Sequence, residues 1–179
     1  MKQRRGFGFT LWELMIVIAL IVIFILAAIE NLLPLRGAAE QAAQSTTAAA
    51  LSSAVSLESM ERVLTSGLGS LREMENANPV DWLRVPMANY AGVVPGGSYH
   101  DVPEGQWAFD ESAGVVIYRV RYPEYFDGSF LQPPAIRYRV KLLHGAGGMP
   151  NGIRLEQLDS ATWTVDGSEL KRLMGDRNE

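Results

Sequence analysis

Gly8-Phe9-Thr10-Leu11-Trp12-Glu13-Leu14-Met15-Ile16 opens an apolar run that carries one acid, Glu13, and no charged or strongly polar residue over 14–29. Residues 9–29 number 21. As a helix rising ~1.5 Å per residue they measure roughly 31 Å, about the thickness of a bilayer's hydrocarbon core. A secretory h-region is shorter and ends at a small-residue A-x-A site, which does not follow here. The upstream residues 1–8 carry Lys2, Arg4 and Arg5. The positive-inside bias then places the N-terminus in the cytoplasm and everything after Ile29 across the membrane. Glu13 is the anomaly. An acid inside a membrane helix is costly and is generally paired or functional; the plainer reading is that it reaches headgroups and water at the interface.

The short basic leader ending in Gly8, the Phe9-Thr10-Leu11 start and Glu13 five residues in resemble the processing and assembly signal of type IV prepilins. The pseudopilins of type II secretion share that signal. Only Trp12 stands where a smaller apolar residue is usual. The resemblance implies that a membrane-embedded prepilin peptidase cuts after Gly8 and methylates the new amine of Phe9. It also implies that Glu13 attracts the N-terminal ammonium of a neighbouring subunit. Cutting removes three cations and creates one amine, and a buried charge that gains a partner costs far less than a lone one. A weaker resemblance, to minor pilins including those of mannose-sensitive haemagglutinin-type systems, lies in Trp107-Ala-Phe-Asp-Glu-Ser-Ala-Gly-Val-Val-Ile-Tyr-Arg-Val. Physically that stretch is a hairpin turning over 110–114.

Composition supports one modest external domain. The chain carries 16 Lys and Arg against 20 Asp and Glu, a net −4; without Lys2, Arg4 and Arg5 the balance is 13 against 20, or −7. That argues against a general binder of nucleic acid or anionic membrane. With no cysteine there is no disulfide and no thiolate metal site.

Beyond the membrane the helix is expected to continue over 38–64, with Leu51, Val55, Leu57, Met60 and Leu64 as its apolar positions and Gly67-Leu68-Gly69 as its stop. Pro34 removes a helical donor and clashes with the carbonyl four residues back, so a kink is expected there. Pilins often carry a helix breaker in this region, usually nearer the position of Glu30. Residues 66–105 read as loops and short helical turns. Strands are expected at 106–110, 114–122, 136–143, 152–158 and 162–165. Val116, Tyr118, Val120 and Tyr122 share one face; Ile136, Tyr138, Val140 and Leu142 share another. The fold class is therefore α+β: a long N-terminal helix packed on a small antiparallel sheet, the layout of a type IV pilin-like fold. Its parts are a leader at 1–8, a membrane and assembly helix at 9–29, an amphipathic continuation at 30–66 and a β-rich external part at 67–179.

Candidate chemistry beyond this is sparse. His100 and His144 stand in Gly/Pro-rich surroundings with no acid or second histidine at ligand spacing, and read as loop residues. Gly145-Ala-Gly-Gly148 lacks the Lys-Ser/Thr of a phosphate loop. Asp127, Asp159 and Asp166 do not make a calcium-loop pattern. No nucleophile elbow occurs, so no enzyme, cofactor or metal is expected. If the two alternating strands pair, Arg119, Arg121, Arg137, Arg139 and Lys141 share a solvent face that could meet DNA phosphates or an acidic subunit. The plainer reading is a solvated face that also deters edge aggregation.

The function these features imply is a structural, minor subunit of a type IV pilus-like or type II secretion filament. Its partners are prepilin peptidase, other pilins or pseudopilins, an inner-membrane assembly platform and, before assembly, the lipid bilayer. The alternative is a pilus-tip module that binds DNA or a surface through the basic strand face. A membrane-tethered enzyme would leave Gly8, Phe9 and Glu13 without a role.

Overall fold

The computed structural model describes residues 10–32, 34–97, 99–127 and 131–164. The leader, including Gly8, and Phe9 lie outside the described residues, as do Asp166 and the far end of the last expected strand.

Helix α1 spans Leu11–Leu32 and α2 spans Pro34–Ser66. The Thr10 hydroxyl accepts a hydrogen bond from the Glu13 amide (3.3 Å), satisfying one of the donors a helix start leaves open. Pro34 is the first described residue of α2. The angle at the join, through Leu33, falls outside the described residues, and with it the expected kink. Gly67, at φ 80°, ends α2 with its amide on the Val63 carbonyl at 3.0 Å.

The inward stripe of α2 is Gly37, Glu40, Gln44, Ala48, Leu51 and Val55, spaced three or four residues apart. Leu51 and Val55 are fully buried as expected. Leu57, Met60 and Leu64 are not part of this stripe and are 57, 66 and 85% exposed. The reason is angular. At ~100° per residue the line through Leu51 and Val55 continues to Glu58 and Arg62, which form an ion pair of 2.6 Å.

The main sheet has the order β1-β2-β3-β5-β6. Its strands are β1 (Tyr90–Val94), β2 (Trp107–Asp110), β3 (Val115–Arg119), β5 (Ala135–His144) and β6 (Pro150–Gln157). Two-residue strands β4 (Phe126–Asp127) and β7 (Thr162–Trp163) form a separate ribbon, on which the Phe126 and Trp163 rings meet edge to face at 5.2 Å. The sheet is mixed rather than antiparallel, because β1 runs parallel to β2 while the other neighbours are antiparallel. Parallel neighbours need a crossover, and residues 95–106 supply it. That crossover places Tyr99 and Val102 over the back of the sheet, against Ala108, Val115, Ile117 and Ala135. Both faces of β2 and β3 are thereby buried, which accounts for the unbroken apolar run Val115-Val116-Ile117. Gly114 (φ +61°) closes the hairpin beside Asn76, where any Cβ would lie 2.5 Å from the Asn76 Cβ.

The front face carries Trp107, Val116, Tyr118, Val120, Ile136 and Tyr138 against Leu51. The Trp107 ring lies 5.0 Å from Tyr118 and 5.7 Å from Tyr138. Both phenol hydroxyls point at the polar half of the α2 stripe. Tyr118 donates to Glu40 Oε1 at 2.8 Å, and Gln44 Nε2 donates to Tyr138 Oη. Glu40 does more. Its Oε1 accepts the Arg121 amide (2.6 Å) and its Oε2 the Tyr122 amide (3.0 Å). The strand-like alternation up to Tyr122 is cut short there: the Val120 amide still reaches the Pro134 carbonyl at 3.0 Å, but the Arg121 and Tyr122 amides turn to the helix carboxylate instead of a neighbouring strand. Burial, followed by the Glu40 charge, pushes the Tyr118 hydroxyl well above its ordinary pKa, so it remains a neutral donor.

Replacing Glu40 by Ala strands one buried hydroxyl and two amides, at about 1–3 kcal/mol for a group left unsatisfied. We expect Glu40→Ala to lower the urea midpoint of the detergent-solubilised chain by an amount corresponding to about 3 kcal/mol. Glu40→Gln, which keeps an acceptor, should lose less. Equal midpoints for Glu40→Ala and the unaltered chain would show that the seam carries no stability.

Candidate membrane and assembly segment

Residues Leu11–Ile29 form a 19-residue stretch of α1, long and apolar enough to cross a membrane, and none of it is buried by the rest of the chain. Leu11, Trp12, Ile23 and Phe24 are among its most exposed side chains, and the exposure runs around the whole helix. A helix apolar on every side is unfavourable in water, and its composition is that of a membrane-length segment.

Glu13 lies in the first turn of this helix. Thr10-Leu11-Trp12-Glu13 has the spacing of a capping box, and one of its two bonds, from the Glu13 amide to the Thr10 hydroxyl, is formed. Among the described residues nothing pairs with the Glu13 carboxylate. A negative charge in the first turn also complements the positive end of the helix dipole. The same acid is thus compatible with the helix start and available to a cation from outside.

The expected basic face is assembled only in part. Arg119, Arg137, Arg139 and Lys141 lie on the back of the sheet, and each is bonded within the fold. Arg119 donates to the carbonyls of His100 (2.8 Å) and Val102 and lies 3.5 Å from Glu104. Arg137 forms a two-pronged bond to Asp159 at 2.7 and 3.0 Å, which raises the guanidinium pKa further. Arg139 donates to the Ala113 carbonyl at 3.2 Å, and Lys141 pairs with Glu156 at 2.8 Å. Arg121 stands apart, beyond the end of β3, next to Arg36 and Tyr122.

His100 lies on a short 3₁₀ turn and His144 at the end of β5. No cluster of three or more His, Cys, Asp or Glu suited to a metal ion occurs among the described residues. Residues the sequence reading passed over are Glu40, Gln44 and Asp110. Asp110, almost wholly buried, accepts from Ser112 Oγ (2.8 Å), the Ala113 amide (3.0 Å), the Gly97 amide (3.3 Å) and Tyr99 Oη (3.4 Å). Burial acts to raise its pKa, but these bonds outweigh that and hold the carboxyl below its ordinary value. A signal for Glu40 and Gln44 was present: they continue the Leu51–Val55 line at helical spacing, and two tyrosines alternate on the facing strands.

Removing residues 1–32 should yield a chain that stays in solution without detergent and elutes as a monomer on size exclusion, since the exposed apolar helix goes with them. Persistent aggregation would point to a second large apolar surface on the remainder. In the comparisons with known proteins, no family model, no curated protein and no solved structure matches this chain.

Proposed function

We propose that this chain is a structural, minor subunit of a type IV pilin-like or type II secretion filament, anchored by α1 before assembly and packed through α1 within the filament. The observation that carries the reading is a coincidence in one place. A basic leader ends at Gly8-Phe9, an all-round apolar helix follows, and that helix holds a single acid in its first turn with nothing described beside its carboxylate. The α+β layout, with an apolar N-terminal helix and a sheet packed on the helix that follows, is compatible with it.

The mechanism is mechanical. Hydrolysis of the Gly8–Phe9 amide, with water as nucleophile, leaves a carboxylate on Gly8 and an ammonium on Phe9. An electrophilic methyl donor then alkylates that amine. The new cation lies just ahead of the α1 N-terminus, at the positive end of the helix dipole, where a cation is disfavoured unless an anion is near. Glu13 of an adjacent subunit supplies that anion in apolar surroundings, and a charge that gains its partner there is much less costly than one left alone. The pairing would set the axial register between subunits, while the external domain chooses neighbours. DNA capture by the basic strand face is the weaker reading, because Arg119, Arg137, Arg139 and Lys141 are already bonded internally.

The deciding measurement is the intact mass and N-terminal sequence of the membrane-extracted chain, with and without a prepilin peptidase. Loss of residues 1–8 with one methyl added at Phe9 is expected in its presence; an uncut N-terminus in both samples overturns the proposal. Glu13→Ala should insert and be cleaved normally yet fall at least about tenfold in recovery from sheared filaments, the effect of losing roughly 1.4 kcal/mol per subunit contact. Unchanged recovery would remove the registration role.

A further inference from the structure

Arg36 and Arg121 come together at the start of α2, away from the basic face formed by Arg119, Arg137, Arg139 and Lys141. They line a depression of about 360 Å³ with Glu40, Asn89, Tyr118 and Tyr122. The Arg36 guanidinium lies 6.0 Å from the centre of the Tyr122 ring. Arg121 is held alongside by its amide bond to Glu40, one helical turn after Arg36 on α2, and its guanidinium packs over Gly105, where a Cβ would lie 2.6 Å from Nε. Both arginine side chains are exposed, and neither has an ion-pair partner among the described residues. Glu40 adds one negative charge, but its oxygens already accept from Tyr118, Arg121 and Tyr122, so they are occupied. Two open guanidinium groups against one saturated carboxylate leave the corner cationic in an otherwise acidic chain.

Its position identifies the anion. Arg36 comes seven residues after Ile29, the last residue of the membrane-length stretch; with all but one of the intervening steps helical at ~1.5 Å each, it lies no more than about 13 Å beyond that end. The headgroup zone extends roughly 5–8 Å beyond each edge of the hydrocarbon core, within reach of a long side chain. We propose that Arg36 and Arg121 form a binding site for the phosphate of an anionic phospholipid, seating the external domain on the bilayer surface before assembly. Guanidinium forks match phosphate oxygens, and Tyr122 restrains one of them beforehand. This inference rests on the membrane anchoring in the reading above and is independent of cleavage at Gly8.

The test uses the full chain in zwitterionic micelles, titrated with a short-chain phosphatidylglycerol, a short-chain phosphatidylcholine or inorganic phosphate, with the amide signals of Gly105 and Tyr122 observed by NMR. Two cations at about 1 kcal/mol each predict roughly thirtyfold tighter binding of phosphatidylglycerol than of phosphatidylcholine, weakening as salt rises. Arg36→Ala with Arg121→Ala should abolish the preference. Arg72→Ala with Arg84→Ala, at exposed arginines elsewhere, should keep it, and Arg36→Lys with Arg121→Lys should retain part. The Trp107 amide reports whether each variant is folded. Equal shifts with inorganic phosphate, or a preference that survives the double Ala change, overturn the proposal. Vesicle flotation is read separately: a chain that fails to float disproves the anchoring, whereas one that floats without the preference disproves only the lipid site.

Discussion

The Glu40 carboxylate is the joint on which the rest of the arrangement depends. A helix and a sheet can meet through apolar side chains in several neighbouring registers at similar cost, because burial of apolar area is not directional. A buried carboxylate is directional, and leaving it unsatisfied is costly. Its oxygens meet the Tyr118 hydroxyl and the amides of Arg121 and Tyr122 in one placement of α2 on the sheet. Gln44 repeats the principle one turn on, with the Tyr138 hydroxyl, which itself donates to Gln157 at 3.2 Å. The apolar half of the stripe, Leu51 and Val55, then provides the bulk of burial without having to define position.

That division of labour separates the chain into two physical regimes. In α2 and the sheet, apolar groups are covered: Trp107, Ile117, Ile136 and Met74 are fully buried. In α1 nothing covers them. The two helices follow one another in sequence but differ in surface: α2 has one covered stripe and a polar outer face, whereas α1 is apolar and exposed all round. The polar seam at Glu40 stands near that change, eleven residues after Ile29, and so fastens the sheet close to the end of the exposed apolar helix.

The back of the sheet shows how local pattern and tertiary use diverge. Alternation correctly put Arg119, Arg137, Arg139 and Lys141 on one face, yet the crossover at 95–106 and Asp159 close over part of that face. Arg119 and Arg137 hold loops in place, and Lys141 pairs with the neighbouring strand. The strands themselves were legible: β2, β3, β5 and β6 lie where apolar alternation or turn residues placed them. β1 was not, since Tyr90-Ala-Gly-Val-Val lies between Pro86 and Pro95 and contains Gly92. A five-residue edge strand with so little pattern is recognisable only once β2 offers it a parallel ladder.

The sequence alone determined what depends on runs and periods. These are a membrane-length apolar helix, one acid near its start, an Ala-rich helix after it, and the principal strands with their apolar faces. Such properties are local, because hydropathy and side-chain spacing act within a few turns of chain. Only the tertiary structure decided which side of α2 faces inward past Val55, the parallel pairing of β1, the early end of β3, and the meeting of Arg36 with Arg121. Each of those depends on groups far apart in the chain, Glu40 with Arg121 above all, and a hydrogen bond between them exists only after the fold has brought donor and acceptor within 3 Å.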